Sequence, residues 1–311
     1  MSAIWSNTSQ NVARAAERLK GGGLVGMPTE TVYGLAGDAA NGDAVAAIYE
    51  TKGRPRFNPL IVHVPDLAAA STIANLPPLA ATLARRFWPG ALTLVVPLKD
   101  DAPIASLVTA GLQTVAIRVP HHPVAKALLT QFGGPIVAPS ANRSGRLSPT
   151  LAAHVAEEFG DAVPVLDGGP CQRGVESTII GFRDGGPVLL RPGAIAAEDI
   201  EAVTRQPLGT PGSGVVAPGM LVSHYAPNAA LRLDATSVES TERLLGFGGT
   251  PGAVLDLSPA GSLREAAANL FAYLRQLDAE ADTPIAVAPI PPVGLGLAIN
   301  DRLMRAAAPR D

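Results

Sequence analysis

Cysteine is almost absent: Cys171 stands alone in 311 residues, which excludes an internal disulfide and any cysteine cage for a metal ion. Aromatic residues are scarce at 4% and charged residues sparse at 16%, against 47% hydrophobic. That balance excludes a disordered chain and supplies apolar surface for buried cores. No run of about 18 apolar residues occurs, so no segment reads as a membrane span. The N-terminal stretch, with Asn7, Asn11, Arg14 and Glu17, lacks the apolar segment of a signal peptide. The chain therefore reads as soluble and cytoplasmic, with no membrane partner. Excess charge is missing as well: residues 1–206 are balanced and residues 207–311 carry the whole net charge of −3. A dedicated nucleic-acid binder needs a broad basic excess, so stable nucleic-acid binding is not expected.

Several catalytic signatures are missing too. There is no GxxxxGK[ST] phosphate loop, no GxSxG elbow and no metal-spaced histidine cluster. Gly21-Gly22-Gly23-Leu24-Val25-Gly26 formally matches a dinucleotide pattern, but it follows a helical pattern and precedes an apolar run. Dinucleotide binding needs the reverse order, so this is a helix stop. His121-His122 before Pro123 reads as a solvent-facing turn, and Cys171 as an inert thiol.

What the chain does have is a set of polar turns at the ends of apolar runs. Leu24–Met27 leads into Pro28-Thr29-Glu30-Thr31-Val32-Tyr33-Gly34-Leu35, which places hydroxyls in a turn. Twenty residues on, Lys52-Gly53-Arg54-Pro55-Arg56-Phe57-Asn58-Pro59 carries three cations with no acid between them. Hydroxyls beside fixed cations suit carboxylates and phosphates. His63 closes the next strand and could reach the same pocket. Arg118 sits inside Val115–Val119, where a buried arginine needs an anion, either a structural carboxylate or a substrate. Ile136–Gly145, Gly174–Ile180 and Leu189–Gly193 repeat the strand-and-polar-turn pattern, and substrates of open α/β sheets collect at the carboxyl ends of strands. A small anionic ligand fits these features better than a polymer.

Periodicity predicts a helix over 8–20 and strands at 24–27, 60–64, 91–97, 114–119, 135–138, 177–182 and 187–191. Helices are expected at 43–51, 66–75, 78–87, 123–132 and 150–159, the last with Thr150 as its N-cap. This alternation indicates an α/β domain over 1–206 with a mixed sheet. Residues 207–228 are rich in Pro and Gly and uncharged, which marks a linker, although Met220, His224 and Tyr225 are unusual for a spacer. Beyond it, strands at 230–234, 253–257 and 284–288 and helices at 236–245, 262–281 and 294–308 form a small C-terminal α/β domain over 229–311.

Taken together, Pro28–Leu35, Lys52–Pro59, Phe87–Thr93, Ala116–Pro120, Pro139–Asn142, Val175–Thr178 and Leu190–Gly193 resemble the YrdC-like threonylcarbamoyl-AMP synthase family. Pro218-Gly219-Met220, His224-Tyr225-Ala226-Pro227 and Gly294–Leu303 are similar to its longer, two-domain form. The resemblance implies a twisted mixed sheet with a concave cationic cavity, plus a Rossmann-like C-terminal domain. It implies a nucleotidyltransferase that joins L-threonine, bicarbonate or CO2 and ATP into threonylcarbamoyladenylate and releases pyrophosphate. A downstream complex then moves the threonylcarbamoyl group to an adenosine beside the anticodon of tRNA. ATP is a substrate, Mg2+ is expected with it, and no permanently bound cofactor or metal site is expected. By the same resemblance Lys52 and Arg54 are catalytic. Thr31, His63, Arg118, Ser140 and Ser177 face threonine, while Arg54, Asn58, Thr114, Asn142, Thr150, Arg191 and Tyr225 face ATP. Residues 212–227 are expected to fold over the pocket as a lid, with Tyr225 near the nucleotide. Two rivals are an RNA-binding module and the carbamoyl transferase of hydrogenase maturation. Neutral charge opposes the first, and the lack of zinc-finger and acylphosphatase-like regions opposes the second.

Overall fold

The computed structural model describes residues 3–212, 217, 224–279 and 283–309. Met220 and Leu221-Val222-Ser223 of the expected lid lie outside these. The N-terminal domain runs β1 (Ile4–Ser6), α1 (Ser9–Lys20), β2 (Val25–Met27), β3 (Gly34–Asp38), α2 (Gly42–Lys52), β4 (Ile61–His63), α3 (Leu67–Ile73) and α4 (Pro78–Phe87). It continues through β5 (Leu92–Pro97), β6 (Thr114–Arg118), α5 (Pro123–Phe132), β7 (Ile136–Val137), α6 (Ala152–Phe159), β8 (Val165–Asp167), β9 (Thr178–Arg183), β10 (Gly186–Arg191) and α7 (Ala197–Thr204). Its ten strands form one mixed sheet in the order β1-β8-β2-β3-β7-β4-β6-β5-β9-β10. Local chemistry sets the helix ends: Thr8 caps α1 by accepting from Asn11 N–H, and Gly21 stops it. The glycine run is a helix stop.

One side of the sheet packs a large core that includes Leu35, Ile48, Val62, Leu94 and Ile117. The other side carries α1 and α5 over Val25, Met27 and Ile136. No helix among the described residues is long and apolar enough to cross a membrane.

Each strand and helix expected in the N-terminal domain is present within a few residues, but β1, β3, β8 and α7 are additional. Gly34 and Gly37 hide β3 from propensity. Thr150 is not a helix cap: α6 starts at Ala152, and the Thr150 N–H donates to His154 Nδ1 at 3.2 Å. His122, expected to face solvent, is half-buried and caps α5 by accepting from Val124 N–H.

The C-terminal domain has β11 (Leu231–Arg232), β12 (Arg243–Gly246), β13 (Leu255–Asp256), α8 (Leu263–Asp278), β14 (Ile285–Val287) and α9 (Leu295–Ala307). Its four parallel strands lie in the order β11-β14-β12-β13. The helix expected at 236–245 is absent. Leu244 and Leu245 are buried instead in β12, paired with Ala286 and Val287 of β14, so sheet burial overrides a helical pattern.

The two domains share a core. Val32, Ala91, Leu147, Val175 and Ala194 of the N-terminal domain pack with Leu270, Phe271, Ile299 and Leu303 of the second. At Gly174, where φ is +67°, a Cβ would collide with the Ala267 and Ala268 backbone of α8. Only glycine allows that approach.

Candidate active site

The site is assembled on the face of the sheet. β4 and β6 are parallel, with His63 opposite Arg118 and Ile61 opposite Ala116. The two-residue period of a strand puts Thr114, Ala116 and Arg118 on the same side. Ile61, Val95, Ala116 and Ile179 cover the middle of this face, and Ala217 of the linker is fully buried against them. β5 and β7 run antiparallel to β6 and β4 respectively, so the polar turns do not share one carboxyl rim. A mixed sheet sends Ser140 to the Pro59 end of β4 and Arg118 to the opposite end, and the cavity spans the face between them.

The cavity measures about 50 Å³ and is lined by Thr31, Arg54, His63, Arg118, Ser140, Glu176, Ser177, Arg191, His224 and Tyr225, with Val32, Ile61, Ala138 and Pro139. Arg118 donates from Nη2 to Glu30 Oε1 at 2.6 Å, from Nη1 to Thr31 Oγ1 at 2.8 Å and from Nε to Gly90 O at 3.2 Å. The structural carboxylate that a buried arginine demands is therefore Glu30. Five N–H groups belong to a guanidinium, so Arg118 keeps donors for a ligand. Arg191 donates to Ser177 O at 2.9 Å and to Ser177 Oγ at 3.2 Å, and that hydroxyl meets Thr93 Oγ1 at 2.7 Å.

The cationic loop divides. Arg54 is buried and lines the cavity, held by Asn58 Oδ1 at 2.7 Å and Pro59 O at 2.9 Å. Arg56 is exposed. The Lys52 ammonium is buried outside the cavity lining and donates to the carbonyls of Ser140, at 2.6 Å, and Asn142. Burial, with the Arg54 charge beside it, pushes Lys52 well below its ordinary pKa. It ties the Ser140–Asn142 turn to α2. Asn58 Nδ2 and Asn142 Oδ1 are buried with no hydrogen-bond partner among the described residues, as is His224 Nδ1. Unmatched buried polar atoms of this kind are available to a ligand. Thr114 shares the sheet face but is not part of the cavity lining, and Thr150 is buried beside α6 outside it.

Both cavity histidines are neutral. Burial, then the Arg118 charge, lowers His63 to about 3. Burial also lowers His224 to about 3 against the pull of Glu176, with Arg54, Lys52 and Arg191 assisting. Tyr225, at φ +62°, stands edge-on to His224 with centroids 4.0 Å apart and lies 5.5 Å from Phe271 of α8.

Sequence reasoning passes over Glu176 and Arg302. Glu176 Oε1 accepts from Ser148 Oγ at 2.5 Å, and Oε2 accepts from Arg302 Nε at 2.9 Å. Burial alone would raise Glu176, but Arg302 and Arg191 beside it, with these hydrogen bonds, hold it below the usual carboxylate range. A signal was available: Arg302 falls on the apolar stripe of α9 formed by Ala298, Ile299, Leu303 and Ala306. A larger cleft of about 740 Å³ lies between α6 and α8, where Arg275 pairs with Glu158 at 2.9 Å.

Comparison with known proteins settles the family. A family described as "Telomere recombination", which groups Sua5, YciO and YrdC proteins, matches residues 17–193. One described as "Threonylcarbamoyl-AMP synthase, C-terminal domain" matches residues 195–308. A threonylcarbamoyl-AMP synthase of Bacillus subtilis is 44% identical over 98% of this chain and 95% of its own. The chain belongs to the threonylcarbamoyl-AMP synthase family. Another member, from Pyrococcus abyssi, is 39% identical over 95% of this chain and 94% of its own. The crystal structure of P. abyssi Sua5 complexed with L-threonine superposes with a TM-score of 0.90 at 37% identity, covering 98% of this chain and 97% of that one. This family therefore spans both domains seen here, and its two-domain form is the one to which the sequence is similar.

Proposed function

We propose that this chain condenses L-threonine, bicarbonate or CO2 and ATP into L-threonylcarbamoyladenylate, releasing pyrophosphate. The observation that carries this reading is the convergence of Arg54, Arg118 and Arg191 on one cavity with the hydroxyls of Thr31, Ser140 and Ser177. Three cations and three hydroxyls suit a ligand pair with one carboxylate and several phosphates. In this reading Arg118, planar and fixed by Glu30 and Thr31, takes the threonine carboxylate, with His63, Ser140 and Ser177 beside it. Arg54 and Arg191 take the phosphates, and the free amide atoms of Asn58 and Asn142 meet the nucleotide, with Thr114, Thr150 and Tyr225 nearby. Lys52 acts by holding the Ser140–Asn142 turn.

The threonine nitrogen adds to CO2 and loses a proton to solvent, and the resulting carbamate oxygen attacks the α-phosphorus as the bond to pyrophosphate breaks. Negative charge grows on the leaving group, where fixed arginines lower the barrier. Two neutral histidines are weak bases, so positioning supplies most of the rate. No cluster of three or more His, Cys, Asp or Glu that could hold a metal stands among the described residues, and Glu176 is already engaged. These residues do not fit a protein-held Mg2+, so it enters only with ATP.

Residues 207–228 act here as the lid. A 50 Å³ space is far smaller than the roughly 300–1,000 Å³ of ligand pockets, and Ala217, His224 and Tyr225 border or cover it. The lid must lift for ATP and close again to keep water from the labile carbamate. The reading makes the enzyme cytoplasmic, supplying its adenylate to a tRNA threonylcarbamoyl transfer complex. Pyrophosphate release from ATP and bicarbonate tests it, with L-threonine, L-serine or no amino acid. Release that requires L-threonine is expected, and release indifferent to it overturns the reading.

A further inference from the structure

Tyr225 is buried at the cavity wall with φ at +62°, a left-handed backbone that a tyrosine keeps only where its surroundings hold it. The chain on either side of it is tied to a different domain. His224 N–H donates to Arg305 O of α9 at 3.2 Å, and Ala226 N–H donates to Gly145 O of the N-terminal domain at 2.7 Å. Three side chains meet the Tyr225 ring. His224 stands at 4.0 Å between centroids, Phe271 of α8 at 5.5 Å, and the Arg302 guanidinium carbon lies 5.2 Å from the ring centroid. His224 belongs to the same segment as Tyr225 and moves with it. The other two both come from the second domain.

Arg302 is itself firmly placed. It is fully buried on α9. Its Nε donates to Glu176 Oε2 at 2.9 Å and its Nη1 to Asp301 Oδ2 at 2.6 Å, while Asp301 Oδ1 accepts from Arg305 Nε at 2.9 Å. Glu176 in turn is held by Ser148 Oγ at 2.5 Å. A desolvated cation within about 6 Å of an aromatic centroid attracts the ring.

We propose that Arg302 is a positioning residue for the lid: fixed by Glu176 and Asp301, it holds Tyr225 against the cavity. This rests on the reading of residues 207–228 as the lid. Docking of the two domains does not account for the arrangement. The shared apolar core already joins them, and a buried ion pair adds little stability over an apolar substitute. Neither explains why the guanidinium lies against the tyrosine that lines the cavity. The second domain thereby takes part in the reaction without touching substrate, because it sets where the lid comes to rest.

The test compares the full-length parent with Arg302→Met, Tyr225→Leu and the double variant Arg302→Met/Tyr225→Leu. Amide hydrogen exchange is read first, since it needs no substrate. In Arg302→Met the His224 and Ala226 amides are expected to exchange about tenfold faster or more, while those of α8 and β14 change less than about twofold. A role in docking alone predicts a rise through α8 as large as that at the lid. The rate of threonine-dependent pyrophosphate release is read second. Arg302→Met is expected to lower kcat about tenfold. Made on Tyr225→Leu, the same substitution should lower it further by less than about twofold, because the ring through which Arg302 acts is gone.

Exchange that stays unchanged at His224 and Ala226, or rises equally across α8, overturns the inference. So does a kcat loss equally large in both backgrounds. Faster local exchange with unchanged kcat overturns the lid reading, and with it the part of Arg302 in the reaction. If Arg302→Met does not fold, Glu176→Gln/Arg302→Met, which leaves no buried acid without its cation, decides by the same exchange measurement. A parent that releases pyrophosphate without threonine overturns the proposed reaction, while the exchange rates still decide whether Arg302 holds Tyr225.

Discussion

Two buried Glu–Arg pairs flank the same cavity and differ in what they do. Glu30–Arg118, at 2.6 Å, lies wholly within the N-terminal domain, and its arginine lines the cavity. Glu176–Arg302, at 2.9 Å, joins two domains, and there the carboxylate lines the cavity while the arginine is hidden behind it. In the first pair the acid fixes a cation that, in the proposed reading, meets substrate. In the second an arginine from the other domain holds an acid that faces the cavity. One motif of charge pairing thus presents a cation on one wall and an acid on the other.

The sharpest way to break this comparison is at the first pair. Arg118→Ala leaves Glu30 buried without its cation, so about 3–5 kcal/mol of stability is expected to be lost in denaturant unfolding. In the protein that remains folded, the threonine KM should rise about a hundredfold and the ATP KM far less. Equal effects on both would make Arg118 purely structural. The next effect concerns the cover over the cavity. Ala217→Asp places a carboxylate on the apolar patch of Ile61, Val95, Ala116 and Ile179. It should lower kcat about tenfold in steady-state pyrophosphate assays, with the fold intact by circular dichroism.

A third test uses the neutral histidines that stand between the two pairs. His63 and His224 are held at about 3 in the folded protein, and an unfolded histidine titrates near 6.5. Between those values the unfolded chain binds more protons, so stability falls as pH drops from about 6.5 toward 3. The slope reaches about 1.4 kcal/mol per pH unit for each histidine. Tm measured from about pH 7 down to about pH 5 should decline, and a flat profile would contradict their burial as neutral rings. The smallest effect is expected at Arg56, the cation of the loop that reaches solvent. Arg56→Ala should change the ATP KM by less than about twofold, which would separate it from Arg54.

Much of the N-terminal domain was legible in the chain. Apolar runs ending in polar turns located seven strands, and helical patterns before and between them located six helices. The cavity-facing residues Thr31, Arg54, His63, Arg118, Ser140, Ser177, Arg191 and Tyr225 all stood out for their chemistry. What escaped was whatever depends on a distant partner. Lys52 reads as a site cation until its two carbonyl acceptors, some 90 residues away, are seen. Glu176 reads as turn chemistry until Arg302 arrives from 126 residues further on. Strand direction is equally non-local: nothing in the turns themselves says that β5 and β7 run antiparallel to β6 and β4. β12 was misjudged for a related reason: burial between two parallel neighbours outweighs the local helical pattern of 236–245.

The contact at Gly174 has a mechanical meaning. With no room for even a methyl group between this residue and the α8 backbone, the two domains meet as solid against solid. A hinge there would need a gap into which one domain could rock, and the shared core offers none. Under the proposed lid, the degrees of freedom for admitting ATP and discharging pyrophosphate then fall to the strap between the domains. The second domain is the fixed post to which that strap is tied.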